Sequence, residues 1–322
     1  GGLGSLPCAT LSVEAMCADL DAITRQTDKP YNVNFFCHQA PAPDAAREQA
    51  WRTQLGPFYA EHHIDSASIP AGAGRAPFDL AYAQALARYQ PPVVSFHFGL
   101  PERSLLELVR GWGAKILSSA TTVAEAQWLV SQGVDGVIAH GVEAGGHRGV
   151  FLTDDPIQAV ETQQGTFALL PQIVRAVGKQ VPVIAAGGIA DAAGVRAALD
   201  LGATAVQVGT AYLLCYEATT STLHRQALRG EYAGIDPTQT ALTNLFTGRP
   251  ARGIVNRVMR ELGPINRAAP AFPLATAGIA PLRAAAEKLG LADFTPLWAG
   301  QNTTGCREVS AAELTRALAA GL

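Results

Sequence analysis

GVIAHGVEAGGHRG, residues 136–149, is the stretch from which the rest of the chain is read. It begins as an apolar β run, Gly136 to Ala139, then breaks into a glycine-rich loop carrying Glu143, His147 and Arg148. A strand with almost no polar interruption belongs in a parallel sheet covered on both faces. In a β/α barrel the loops that follow the C-terminal strand ends carry the chemistry, which makes His147 the candidate catalytic residue. An imidazole takes or gives a proton near neutral pH. Glu143 either orients it or pairs with Arg148.

The same strand-then-helix order extends in both directions. Upstream, Ser12 starts a helical pattern to Gln26 with Val13, Met16, Leu20 and Ile23 on one face. Residues 31–36 read as a strand, 44–62 and 75–89 as helices, and the connection 66–74 as a Pro- and Gly-rich loop. A strand at 92–98, a helix at 102–112 and a strand at 115–119 follow. Thr122 and Glu125 have capping-box spacing for a helix ending at Gln132. Downstream come a helix at 167–178, a strand at 181–186, a helix capped by Asp191 and a strand at 204–208.

This is six strands plus a stub at 2–6, one short of the eight of a (β/α)8 TIM barrel. With the stub as second strand, the first is expected upstream of a sequence that opens on Gly1 without methionine. A doubly wound α/β sheet competes, but the first strand–helix turn lacks a GxGxxG fingerprint. Beyond Tyr216 the alternation stops. Helical patterns near 217–229, 250–262, 277–289 and 310–320 predict a C-terminal helical extension. The expected division is a barrel over residues 1–215 and an extension over 216–322 that packs on the barrel and the substrate mouth.

VPVIAAGGI (181–189) and AVQVGTA (205–211) are consecutive strands that both end in glycine. Loops at the last two strands of a barrel hold phosphate through backbone N–H groups. Gly187 and Gly188 supply such backbone and Thr210 adds a hydroxyl. Asn34, His38, His97 and His140 lie at or beyond strand ends on the same face. The Asn34 amide suits a planar heterocycle, while each histidine is either structural or a ligand contact. Lys29, Lys115, Lys179 and Lys288 are the only lysines, and none ends a strand, which argues against Schiff-base chemistry. No carboxylate–histidine cluster suggests a metal. A phosphate grip and one base without a nucleophile leave the chemistry to a cofactor.

Composition narrows the partners. At 48% hydrophobic and 16% charged residues, the chain builds a large core and is not disordered. Net charge of −3 without a Lys/Arg block argues against nucleic acid. Five scattered cysteines without a CxxC pair fit a reducing cytoplasm. No apolar run reaches membrane-spanning length.

YNVNFFCH (31–38), VSFHFG (94–99), GVEAGGHRG (141–149), VIAAGGI (183–189), AVQVGTA (205–211), TGRPARG (247–253) and WAGQ (298–301) together resemble the nitronate monooxygenases. These class I-like enzymes, formerly called 2-nitropropane dioxygenases, are FMN-dependent β/α barrels, and the resemblance spans essentially the whole chain. It implies FMN contacts from Asn34, His140, Gly145, Gly187, Gly188, Gln207, Val208, Gly209 and Thr210. It implies His147 as the base on neutral nitroalkanes; His97, at its strand end, is read separately as a candidate substrate contact. The activity implied is oxidation of alkyl nitronates by O2 to a carbonyl compound and nitrite, in a cytoplasmic monomer or homodimer. The runner-up is an FMN-dependent NAD(P)H reductase of enoyl-[acyl carrier protein] or quinone type. Two departures stand out: close relatives often carry glutamine at His140, and FPLATAGIAPL (272–282) lacks the tyrosine and lysine that some members have there.

Overall fold

The structure, a computed structural model, describes residues 2–70 and 75–322. In chain order the first half runs β1 (Gly4–Pro7), α1 (Val13–Gln26), β2 (Tyr31–Phe36), α2 (Ala45–Glu61), α3 (Leu80–Leu86), β3 (Val93–His97) and α4 (Arg103–Gly111). It continues through β4 (Lys115–Ala120), α5 (Val123–Ser131), β5 (Gly136–His140), β6 (Gly146–His147), α6 (Thr166–Val177), β7 (Val183–Ala186), α7 (Ala192–Asp200) and β8 (Ala205–Gln207). The remainder holds α8 (Thr222–Leu228), β9 (Thr240–Thr243), β10 (Ala251–Ile254), α9 (Arg257–Leu262), α10 (Ala275–Lys288) and α11 (Ala311–Leu318).

Seven strands form one parallel sheet in the order β1-β2-β3-β4-β5-β7-β8. Each strand lies beside its predecessor, so the order never reverses as a doubly wound sheet requires. The sheet curls as the α/β barrel expected from the alternation, with β1 and β8 at its edges. Its core is made by the strands' apolar runs, among them Val33, Phe35, Val94, Phe96, Val137 and Val183, all 2% exposed or less. Side-chain caps mark the helix starts. Ser12 accepts from Ala15 N and Asp191 from Gly194 N, each contributing about 1 kcal/mol.

Three expectations change. The helix expected over 75–89 is only Leu80–Leu86, because Pro77 biases the residue before it away from helix and Asp79 caps the start. Residues 71–74 of the expected connection lie outside the described residues, as does Gly1. The capping box at Thr122 is half made: Thr122 Oγ1 accepts from Glu125 N, but the buried Glu125 carboxylate turns to Thr121 and to Phe151 N.

The largest difference lies at 250–262, which is strand β10 followed by α9 rather than one helix. β10 is the middle strand of a small antiparallel sheet, order β6-β10-β9, pairing Ala251 with His147 and Arg252 with Gly146. These strands have two to four residues, too few to show a period-2 pattern. The C-terminal part is thus helices around a ribbon that reaches back to the loop bearing His147. A second apolar core joins α2 to α10, where Trp51 Nε1 donates to Ala275 O (3.3 Å) and Tyr59 OH to Gly278 O (2.6 Å). Among the described residues no helix is long and apolar enough to cross a membrane.

Candidate active site

His147 sits at the C-terminal mouth of the sheet on β6, 8% exposed. Its Nε2 is hydrogen-bonded to Thr247 Oγ1 at 2.9 Å. Aromatic rings surround the imidazole: Phe272 at 5.2 Å between centroids, Trp298 at 5.5 Å, Phe36 at 5.7 Å and Phe98 at 6.1 Å. Burial holds its pKa well below the usual 6.5, and the charges of Arg75 and Arg249 push the same way. The ring is neutral at pH 7.

His97, at the end of β3, supports this residue from below. Its Nε2 lies 3.0 Å from His147 O, and a carbonyl only accepts, so Nε2 carries the proton. Nδ1 then accepts from Ser119 Oγ at 2.6 Å. Both nitrogens are used inside the protein, and burial lowers the His97 pKa to about 4. His140, at the end of β5, packs 5.3 Å from His97 and is likewise held neutral by burial. Among the described residues its buried Nδ1 has no partner. His38 bonds Arg75 O at 2.9 Å and packs on Phe272.

Glu143 does neither of the things expected of it. It accepts from Thr166 N and Thr166 Oγ1 at 2.8–3.0 Å, capping α6. Arg148 is instead fully buried among uncharged acceptors, donating to Gly141 O (2.6 Å), His140 O (2.7 Å) and Gln163 Oε1 (2.5 Å). Burial pushes its pKa down to about 9. This guanidinium ties the end of β5 to the loop that presents His147.

Beside this cluster lie the loops after β7 and β8. Among the described residues, the N–H groups of Gly187, Gly188, Gly209 and Thr210 donate to no protein acceptor. A Cβ on Gly209 would meet nothing within 4 Å, so the backbone there faces open space. Four unpaired N–H groups at adjacent loops, with an orphaned imidazole nitrogen nearby, fit a phosphate-bearing heterocycle. Thr210 Oγ1 accepts from Gly300 N at 2.9 Å. Gly145 packs against the same tail: a Cβ there would fall 2.6 Å from Gly300 N. Asn34 faces a polar row, its Oδ1 accepting from Ser95 Oγ at 2.8 Å. Gln207 is exposed and Val208 half-buried on the edge strand β8 and its end.

Sequence reasoning assigned no role to Thr247, Arg249, Phe36 or Phe98. TGRPARG was the available signal, since Thr247 and Arg249 are its first and third residues. Phe98 adopts φ +70°, a left-handed conformation costing about 1–2 kcal/mol that sequence does not announce.

A family model described as nitronate monooxygenase matches residues 1–321. A nitronate monooxygenase of Pseudomonas aeruginosa is 40% identical, covering 99% of this chain and 88% of its own. That of Paraburkholderia phytofirmans is 38% identical over 99% and 85%. The solved nitroalkane oxidase of Streptomyces ansochromogenes superposes with a TM-score of 0.88 at 37% identity, covering 99% of this chain and 88% of its own. FabK of Thermotoga maritima shares the fold at a TM-score of 0.65 and 22% identity, over 99% and 84%.

Proposed function

The chain belongs to the nitronate monooxygenase family, an oxidoreductase family, and from that premise we propose an FMN-dependent enzyme that oxidises alkyl nitronates with O2. Propionate 3-nitronate represents the substrate class, and the products are a carbonyl compound and nitrite. The observation that carries the reading is the neutral His147 with one nitrogen held and the other open. The Thr247 hydroxyl has Arg249 O to donate to at 3.4 Å, leaving its oxygen to accept from His147 Nε2–H. The lone pair is then on Nδ1, which is not among the buried unpartnered atoms and has no protein partner among the described residues.

On a neutral nitroalkane, Nδ1 takes the α-proton and the electron pair spreads onto the nitro oxygens. A substrate already present as nitronate needs no base. Gly187, Gly188, Gly209 and Thr210 would hold the FMN phosphate, with Gln207 and Val208 leading into that loop. Asn34, His140 and Gly145 would contact its ring system, and His97 holds the His147 carbonyl beside the base. Bound FMN supplies the electron transfer and oxygen chemistry. The rings of Phe36, Phe98, Phe272 and Trp298 exclude water from the base. In this reading residues 1–215 carry the flavin and residues 216–322 shape the mouth.

A visible spectrum of the purified protein, followed by nitrite release from propionate 3-nitronate in air, tests the proposal. Anaerobic mixing separates it from the reductase reading. Flavin bleaching by NAD(P)H, with none by nitronate, would replace the monooxygenase with the reductase.

A further inference from the structure

Among the described residues Arg249 is a cation without a counter-ion at the mouth of this site. Its guanidinium carbon lies 4.1 Å from the centroid of the Phe98 ring, which in turn packs on His147. Its Nη2 donates to Val150 O. Among the described residues Nε is buried without an acceptor and Nη1 has none. The acid that influences its charge is Glu125, whose oxygens are committed to Thr121 and to Phe151 N. Burial draws the pKa down only to about 10, so the group is charged at neutral pH. Arg75 adds a second positive charge felt at His147.

A desolvated guanidinium with idle donors is costly to keep unless an anion completes it. The turn that carries it is also built to hold it still. Gly248 has φ +91°, and a Cβ there would lie 2.0 Å from Pro270 O. Thr247 bonds the imidazole, and Arg148 N donates to Pro250 O at 2.8 Å. Base and cation therefore sit on one braced unit.

We propose that Arg249 binds the O–N–O group of the substrate beside His147, an assignment that rests on the function proposed above. When His147 takes the α-proton, the electron pair left on carbon moves to the nitro oxygens, and negative charge appears where the guanidinium waits. A fixed cation favours that anion over the neutral nitroalkane, so it assists proton removal as well as binding.

The test uses the flavin-loaded enzyme and two readouts. Sodium nitrate is a planar anion with the same O–N–O fork and is not a substrate for oxidation. By titration calorimetry it binds wild type, binds Arg249→Met at least about tenfold more weakly, and binds Arg249→Lys with intermediate affinity. Equal affinity in wild type and both variants overturns the proposal, as does a wild type that binds no nitrate at about 100 mM. Because Lys keeps the charge and much of the packing, it decides the question if the Met variant does not fold. In the second readout, the KM for propionate 3-nitronate rises about 10- to 100-fold in Arg249→Met, and added guanidinium salt restores part of the loss. An unchanged KM also overturns the proposal. Nitrate binding that depends on Arg249 in an enzyme releasing no nitrite would leave the anion site standing and remove the nitronate reading alone.

Discussion

An imidazole packed among Phe36, Phe98, Phe272 and Trp298 takes up a proton reluctantly, because the charged form loses its hydration there. His147 is therefore unprotonated across the neutral range, the state in which it accepts an α-proton. His147→Ala is expected to lower kcat/KM for a neutral nitroalkane by about 10²–10⁴-fold while retaining most turnover of the nitronate. Equal loss on both substrates, in a steady-state assay, would mean that the imidazole does something other than take a proton. The same burial has a stability signature. Folded-state pKa values of His97 and His224 fall to about 4, and those of His38, His140 and His147 are also depressed. Unfolded, each binds a proton near pH 6.5. Between about pH 6.5 and 4 the unfolded chain thus holds more protons, and stability falls as pH falls, by up to about 1.4 kcal/mol per histidine per pH unit. Thermal melts should be flat from pH 7 to 8 and drop steadily towards pH 5; a Tm that rises on acidification would refute this account.

Among the elements, the loop between β5 and α6 is braced at both ends. Glu143 caps α6, so Glu143→Ala should lower unfolding free energy by about 1–2 kcal/mol, read from the urea midpoint. Gly248→Ala should do more harm to turnover of neutral nitroalkane than to that of nitronate. Its Cβ has no room beside Pro270 O, so Thr247 must shift away from the base. The elements themselves differ in how well sequence revealed them. β3, β5 and β7 are visible because buried parallel strands are continuous apolar runs, and α1 and α7 because Ser12 and Asp191 announce their starts. β6 is a two-residue strand paired with a segment about a hundred residues away, and no local pattern records such a partnership. For the same reason Glu143, close to His147 and Arg148 in sequence, was a candidate partner of either, whereas Thr247, far away in sequence, is the one in contact with His147.

At the scale of the whole molecule, the barrel order and the position of the candidate base followed from the alternation of strands and glycine-ended loops. Arg249 did not, because an arginine in a Gly-Pro turn reads as surface until the fold buries it over Phe98. The free N–H groups after β7 and β8 make a further prediction about affinity. Apoprotein should bind FMN about 10²-fold or more tightly than riboflavin, since only the phosphate engages those donors. Equal affinity for both, by fluorescence quenching, would locate the flavin elsewhere.

The ribbon β6-β10-β9 also has a meaning in time. As the chain leaves the ribosome, the barrel strands through β8 and the loop bearing His147 emerge first. Thr247, β10 and the Trp298–Gln301 tail come only later. A chain made only through β8 therefore possesses the imidazole with Phe36 and Phe98, but without the Thr247 hydroxyl or the rings of Phe272 and Trp298. In the mechanism proposed above, the base is thus complete only after Thr247, Phe272 and Trp298 have been added, long after the strand that carries it has been made.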